Sequence, residues 1–224
     1  MAETLVYILG AGGHAAKALN NLLRSLDKES GLKVAGFISN EHPGTISHRG
    51  YPVLFSFNTV PDWLDLSKAL YHSAVGDMHI RRQLAMQAEA LGMRPVPAIG
   101  PNTYIADDNL DLGGAFMGAG SVIETGCSIG KGLLLDTHAV LEHDCTTGDY
   151  VNISPNATVC GGVRIGSGTV IGAGAVVREK ITIGGGALIG AGAVVLSHIP
   201  DFAVAYGVPA KVIRYRQPGD KIYK

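Results

Sequence analysis

Two stretches of the sequence hold residue types that could do chemistry. The first is Glu142-His143-Asp144-Cys145. A histidine beside a carboxylate can be a general base: the carboxylate fixes the ring's tautomer and leaves the other nitrogen free to take a proton. Eighteen residues on comes Cys160-Gly161-Gly162, where a backbone N–H unobstructed by a side chain could steady a developing oxyanion. A base and an oxyanion donor would suit acyl transfer, provided the fold brings them together. The second stretch is Gly10-Ala11-Gly12-Gly13-His14, between a short apolar run and a helical pattern. Glycines there let backbone N–H groups approach an anion at the helix N-terminus. They do not complete the dinucleotide fingerprint, so a plain tight turn stays open as a second reading.

The element that would join His143 to Gly161 is a repeat of six. Sampled every sixth position from Ile105 to Val195, fourteen of sixteen residues are aliphatic, the exceptions being Asp111 and Thr147. Neither the helical period nor the strand period gives that spacing; a hexapeptide repeat does, and it predicts a parallel β-helix. Three hexapeptides close one triangular coil of about eighteen residues, so the stretch makes about five coils, which must stack to bury their apolar faces. The repeat runs unbroken, without room for an inserted loop. Residues eighteen apart then stack at roughly the 4.8 Å strand spacing. His143 lies two past the inward Leu141, off the buried column, with Gly161 stacked on it. Cys145 is a candidate nucleophile by type, but it shares the column of Cys127, Val163 and Ile181, which predicts a buried thiol instead. Cys127 and Cys145 are near enough on adjacent coils for a disulfide, though reduced core residues are expected in a cytoplasmic protein.

Composition sets the frame. The 224 residues suffice for two small domains, and 46% hydrophobic with 17% charged residues describes a globular chain. A net charge of −1 argues against a nucleic-acid or anionic-membrane partner. Met1 to Thr4 carries no basic segment and Val6–Leu9 is too short to span a membrane, so a cytoplasmic location is expected. Residues 1–100 read as a Rossmann-like α/β domain with strands at Thr4–Leu9, Lys33–Ile38, Tyr51–Phe55 and Ala69–Val75. Asn40 to Gly50 reads as a polar turn. One helix follows the glycine loop, and a second over His79–Gly92 is expected to bury Ile80, Leu84, Ala88 and Leu91. Arg94 to Ile99, with two prolines, reads as an edge strand or linker. The second strand ends in Ser39-Asn40, where a dinucleotide site would want an acid. Residues 101–199 form the β-helix and 200–224 a tail.

Together these motifs resemble the sialic-acid O-acetyltransferase and nucleotide-sugar 4-amino N-acetyltransferase family, hexapeptide acyltransferases with a Gly-rich α/β domain in front. The likeness covers nearly the whole chain. It rests on Gly10-Ala11-Gly12-Gly13-His14, on Gly76 with Ile80-Arg81, on Glu142-His143-Asp144-Cys145 followed by Gly148-Asp149, and on Gly207-Val208-Pro209-Ala210-Lys211. The resemblance implies a left-handed parallel β-helix and acetyl transfer from acetyl-CoA, without a metal, to the 4-amino group of a nucleotide-linked deoxy sugar. His143 would be the base, Asp144 the carboxylate that raises its basicity, and Gly161 the oxyanion donor, with direct attack and no acyl-enzyme. Gly12, Gly13 and His14 would hold the diphosphate with Gly76 nearby, and Asp136 would reach the amine or sugar. Ala173 and Ala191 would line the pantetheine groove, with Arg178, Lys180 and Lys211 as candidate partners of the CoA adenine and 3′-phosphate or, equally, solvated surface charges. Asn152 stands where some relatives carry a second histidine near the acetyl donor. Ser39-Asn40 replaces an acidic pair of some uridine-nucleotide users, which points to another base such as guanine or thymine; GDP-perosamine is the favoured substrate, with dTDP- or UDP-linked 4-amino sugars as alternatives. A homotrimer with active sites between subunits is implied.

Three other readings stand beside this one. A sugar hydroxyl could be the acceptor. His138 and His143 have the five-residue separation of two ligands in zinc hydratases built on this β-helix, but residues 100–137 hold no third histidine. A non-catalytic scaffold is the last.

Overall fold

The computed structural model describes residues 3–26, 31–40, 44–107, 110–217 and 219–220. Parts of the turn expected over 40–50 and of the tail therefore lie outside the described residues. The N-terminal half is built on β1 (Thr4–Leu9), α1 (Gly13–Ser25), β2 (Leu32–Ile38), β3 (Val53–Phe55), β4 (Leu70–Ser73), α2 (Met78–Ala90) and β5 (Arg94–Pro95). The strands form one parallel sheet in the order β3-β2-β1-β4-β5. That order is the doubly wound one, which puts a ligand crevice at the carboxyl ends of the strands, where the order reverses beside β1. Gly10 turns the chain there at φ +100°, and a Cβ would meet Val75 Cγ2 at 2.8 Å, so only glycine fits.

The two helices cover opposite faces of this sheet. Ala15, Ala18, Leu19 and Leu22 of α1 pack between the sheet and the β-helix residues Ala98, Phe116 and Leu134. On the other face α2 buries Arg81, Ala85 and Ala88. Ala88 is buried and Leu84 packs partly buried against the core, as expected, whereas Ile80 is 49% exposed and Leu91 is also exposed, which corrects those two positions. Hydrophobic periodicity misled there because the helix packs on the sheet mainly through Arg81 and the small residues Ala85 and Ala88.

The hexapeptide register is observed rung by rung. On one side, Ala98, Phe116, Leu134, Asn152, Val170 and Leu188 pair in succession, each eighteen residues from the last. A second side stacks Tyr104, Val122, Val140, Thr158, Val176 and Val194, and a third stacks Thr146, Arg164 and Thr182. The solenoid thus starts at Ala98, within the segment that reads as an edge strand or linker. At its other end the step shortens to sixteen residues (Ile183 to Ile199, Leu188 to Val204), and an antiparallel hairpin of Ala203–Gly207 and Ala210–Tyr215 closes that side. Met117, Leu135, Ile153, Ile171 and Ile189 run down the interior as one fully buried column. Thr147, an apparent break in the repeat, stays in the column at 4% exposure, whereas Asp111 is exposed and Leu110 and Leu112 pack inward around it. Among the described residues no helix is long and apolar enough to cross a membrane.

The interior is close-packed, so removing volume from the coil that carries His143 leaves a void. Leu141→Ala should cost roughly 2–5 kcal/mol of stability, read as a lower urea midpoint than for a surface substitution such as Arg178→Ala.

Candidate active site

Every hexapeptide turns its corner through one residue in the left-handed region. From Gly120 to Gly192 each sixth residue has positive φ, and eight of these thirteen are glycine. Asp144 is one of the exceptions, at φ +59°, a conformation that Asp adopts more readily than most side chains. The room for its carboxylate comes from Gly126 one coil earlier, whose Cβ would lie 2.6 Å from Asp144 Oδ1. The ring of His143 lies against Gly161 in the following coil: a Cβ on Gly161 would lie 2.5 Å from His143 Nε2. Two glycines, one coil before and one coil after, therefore shape the space that the His-Asp pair occupies.

His143 Nδ1 and Asp144 Oδ2 are 2.8 Å apart. An ionised carboxylate only accepts, so Nδ1 carries the proton and donates, and Nε2 keeps its lone pair. The hydrogen bond to Asp144 is the largest cause of a His143 pKa raised above the ordinary 6.5, with Asp144 and Glu142 charge adding to it. The side chain is 58% exposed, open to a second substrate or a partner surface.

The corner amides divide into two kinds. On the corner after the third side, side chains of the next coil accept them: Lys131 N–H donates to Asp149 Oδ1 (2.9 Å), Asp149 N–H to Ser167 Oγ (3.0 Å) and Gly185 N–H to Asp201 Oδ1 (2.7 Å). Gly161, Ala173 and Ala191 have no acceptor for their N–H groups among the described residues. The Gly161 donor lies beside the free Nε2 of His143. Ala173 and Ala191 are both exposed and stacked together, as expected, but on the neighbouring corner, that of Thr137 and His138, not that of His143.

The thiols are structural. Cys145 is buried, its Sγ donates to Cys160 O (3.2 Å), and the neighbouring Cys127 thiol together with burial pushes its pKa up. All three cysteines are free. Among the described residues no group of three or more His, Cys, Asp or Glu side chains could hold a metal ion.

At the carboxyl end of the parallel sheet lies a cleft of about 330 Å³, and Gly12, Gly13, His14, Ser39, Asn40 and Gly76 all line it. Gly12 and Gly13 have open space where a Cβ would point. Ile80, which is exposed, and Leu84, which is partly buried, form an apolar wall of the cleft. His48, which the sequence pattern did not single out, touches the carbonyls of Ala11 (2.9 Å) and Gly12 (3.0 Å) through Nε2 and so braces the glycine loop. Its only sequence signal is its type within a polar turn.

Between cleft and β-helix several polar groups are buried, and the Nε2 atoms of His14 and His72 have no hydrogen-bond partner among the described residues. Burial, then the positive fields of His72, Arg81 and Lys17, lower the His14 pKa to about 3, so the ring is neutral. Its ring stacks at 4.4 Å from Phe116 of the β-helix. Asp136 accepts from Lys17 Nζ and from Thr137 N–H (2.7 Å). Burial alone would raise its pKa; those donors outweigh it and hold Asp136 below the usual carboxylate value. Asp136 is thus at the junction, not in the cleft. Asn152 is also buried there, its amide committed to Arg81 and Gly76 and not to an acyl-donor groove. Lys211 is exposed on the closing hairpin, opposite Tyr206.

Comparison with known proteins gives two family matches: the PglD N-terminal domain over residues 5–88 and the bacterial transferase hexapeptide (six repeats) over 144–179. No curated protein is matched by sequence search. Among solved structures, the acetyltransferase domain of PglB from Neisseria gonorrhoeae FA1090 is 30% identical, with 94% of this chain and 100% of that one covered and a TM-score of 0.83. PerB from Caulobacter crescentus, solved with CoA and GDP-perosamine, is 31% identical over 93% and 97% of the two chains, with a TM-score of 0.81. WeeI from Acinetobacter baumannii AYE is 26% identical over 94% and 100%, with a TM-score of 0.71.

A base must be neutral to act, so activity should rise as pH climbs through the raised His143 pKa, giving an acid limb above 6.5. Asp144→Asn removes the charge that stabilises the imidazolium, so the limb should move to lower pH and the plateau should fall. A pH profile of kcat/KM for both proteins reads this directly. Gly161→Ala should leave CoA binding in place while displacing the ring and cutting kcat by about 10²-fold.

Proposed function

This chain belongs to the bacterial hexapeptide sugar acetyltransferases that carry a PglD-type N-terminal domain, and we propose that within that family it N-acetylates the 4-amino group of a nucleotide-linked deoxy amino sugar. It is an acyltransferase that uses acetyl-CoA. The observation that carries the finer reading is the His143 ring lying on Gly161 with Nδ1 held by Asp144 and Nε2 free.

The sugar nucleotide occupies the cleft of residues 1–100, its diphosphate against Gly12, Gly13 and His14 at the start of α1, near Gly76. Glycines without a Cβ and the unpaired N–H groups of a first helical turn suit a diphosphate. The neutral Ser39-Asn40 pair meets the nucleoside, and GDP-perosamine is the favoured acceptor, as PerB is solved with that sugar nucleotide and CoA. At the β-helix of residues 101–199, the sugar's amine attacks the thioester carbonyl and its nitrogen forms the new bond to carbon. His143 Nε2 takes the amine proton, and the Gly161 N–H donates to the carbonyl oxygen as it becomes an oxyanion. Collapse of the tetrahedral intermediate expels the CoA thiolate, which the imidazolium reprotonates. Asp136, at the junction of the two domains, meets the sugar.

The donor's pantetheine arm runs along the exposed amides of Ala173 and Ala191. These sit one corner away from His143 on the same chain, which supports an active site completed by a second subunit, as in a cyclic trimer. Lys211 and the hairpin that carries it lie towards the CoA phosphates. The reaction belongs in the cytoplasm, with the pools of acetyl-CoA and sugar nucleotides. Sugar O-acetylation is the reading that remains if amines fail.

The test is acetyl transfer from acetyl-CoA to GDP-, dTDP- and UDP-linked 4-amino sugars, with hydroxyl analogues alongside, for the native enzyme and His143→Asn. CoA release with one amino sugar, reduced at least 10²-fold in the variant, is expected. Release only with a hydroxyl analogue, or undiminished release in the variant, would contradict the assignment.

A further inference from the structure

One buried network has no part in the chemistry above. Arg81, in the first turns of α2, is 3% exposed and Asn152, on the β-helix, is 2% exposed. A cation and an amide are costly to bury unless their hydrogen-bonding groups are engaged. Arg81 Nη1 donates to the carbonyls of Val75 (2.9 Å) and Gly76 (3.2 Å), and Nη2 donates to Asn152 Oδ1. Asn152 Nδ2 donates in turn to the Gly76 carbonyl (3.0 Å). The Tyr150 ring, two residues before Asn152, lies 6.0 Å from the guanidinium carbon, and Ser73 Oγ donates to the Arg81 carbonyl (3.0 Å).

The two ends of this network matter. Val75 and Gly76 form the lip of the nucleotide cleft. Asn152 belongs to the coil that carries His143, nine residues earlier in the same eighteen-residue turn. The rest of the junction is mostly aliphatic and aromatic packing of α1 on Phe116 and Leu134, with Lys17–Asp136, Asn21 Nδ2 to Met117 O and the Glu89–Lys131 ion pair (3.9 Å) as the other polar ties among the described residues. The first two run through α1 and the third through the far end of α2. Among the described residues, only the Arg81–Asn152 network reaches from the cleft lip itself. Hydrophobic contact is non-directional, whereas a hydrogen-bonded fork fixes both distance and orientation.

We propose that Arg81 and Asn152 are positioning residues, a strut that sets where the cleft presents the sugar's amine relative to the acyl-transfer corner. The inference rests on the reading that the cleft takes the sugar nucleotide. It gives Asn152 a role in place of contact with the acetyl donor. Arg81 holds the lip from within its own domain, so removing Asn152 cuts the lip's own link to the β-helix and leaves the lip bonded to Arg81.

The experiment is Asn152→Ala, with three readouts on the assembled enzyme. Affinity for the nucleoside diphosphate without its sugar, and for CoA alone, should stay within about threefold of native. The kcat of acetyl transfer per CoA-binding site should fall about tenfold or more, because misplacement of about 1 Å is costly in a transfer step. The acid limb of the pH profile should not move, since the base is untouched. Native kcat in the variant would overturn the strut, as would a fall matched by lost CoA sites or lost diphosphate affinity. If Asn152→Ala does not fold, Asn152→Leu, close to native in volume but with no group to bond Arg81 or Gly76, is read for the same split between binding and transfer. A native enzyme that binds no nucleoside diphosphate would instead sink the substrate reading, and the strut with it.

Discussion

The stacking of one coil on the next is the constraint on which the rest of this molecule depends. A single turn of eighteen residues cannot bury its own aliphatic residues; only a pile of turns in strict register makes an interior. Once the register holds, a residue's position modulo eighteen decides its neighbours. His143 meets Gly161, Asp144 meets Gly126 and Cys145 meets Cys127 and Val163 because of that arithmetic. The proposed catalytic corner is a consequence of core packing, and its precision is borrowed from the rigidity of the column behind it. The backbone there is held by paired strands on both sides, so the base and the oxyanion donor need no induced movement to meet.

Corners are also where the fold leaves backbone groups unspent. A β-helix satisfies its strand amides along the stack but must find other acceptors at the turns. On one corner Asp149, Ser167 and Asp201 supply them; at Gly161, Ala173 and Ala191 the amides have no acceptor among the described residues. The same reasoning applies to the glycine loop of the N-terminal domain, where Gly12 and Gly13 leave open space at the start of α1. Both halves of the chain use the same device, a bare amide beside a missing side chain. In one it faces a cleft, in the other an exposed histidine.

The β-helix was legible in the sequence because each coil repeats one instruction, so single exceptions such as Thr147 do not blur it. The strands of the parallel sheet were legible within a few residues, as was the cleft formed by Gly12, Gly13, His14, Ser39, Asn40 and Gly76. The inward face of α2 was legible only in part. Ile80, Leu84, Ala88 and Leu91 look like a buried stripe, yet Ile80 and Leu91 are exposed and the helix buries Arg81 and Ala85 beside Ala88. A buried arginine is readable only when its partners are known, and Asn152 is seventy-one residues away. Asp136 and Lys17 share that difficulty, being joined across 119 positions. Local periodicity carries no information about such pairs. They arise from the docking of two units, each of which is coherent alone.

The central claim is that acetyl transfer occurs at the corner where His143 lies on Gly161. A crystal structure of the protein with an unreactive acetyl-CoA analogue tests it most directly. The account places the analogue's carbonyl oxygen about 2.7–3.1 Å from the Gly161 nitrogen, with the carbonyl carbon accessible from the side of His143 Nε2. A carbonyl bound at another corner, or one whose oxygen is held by other groups while Gly161 N–H faces solvent, would contradict it.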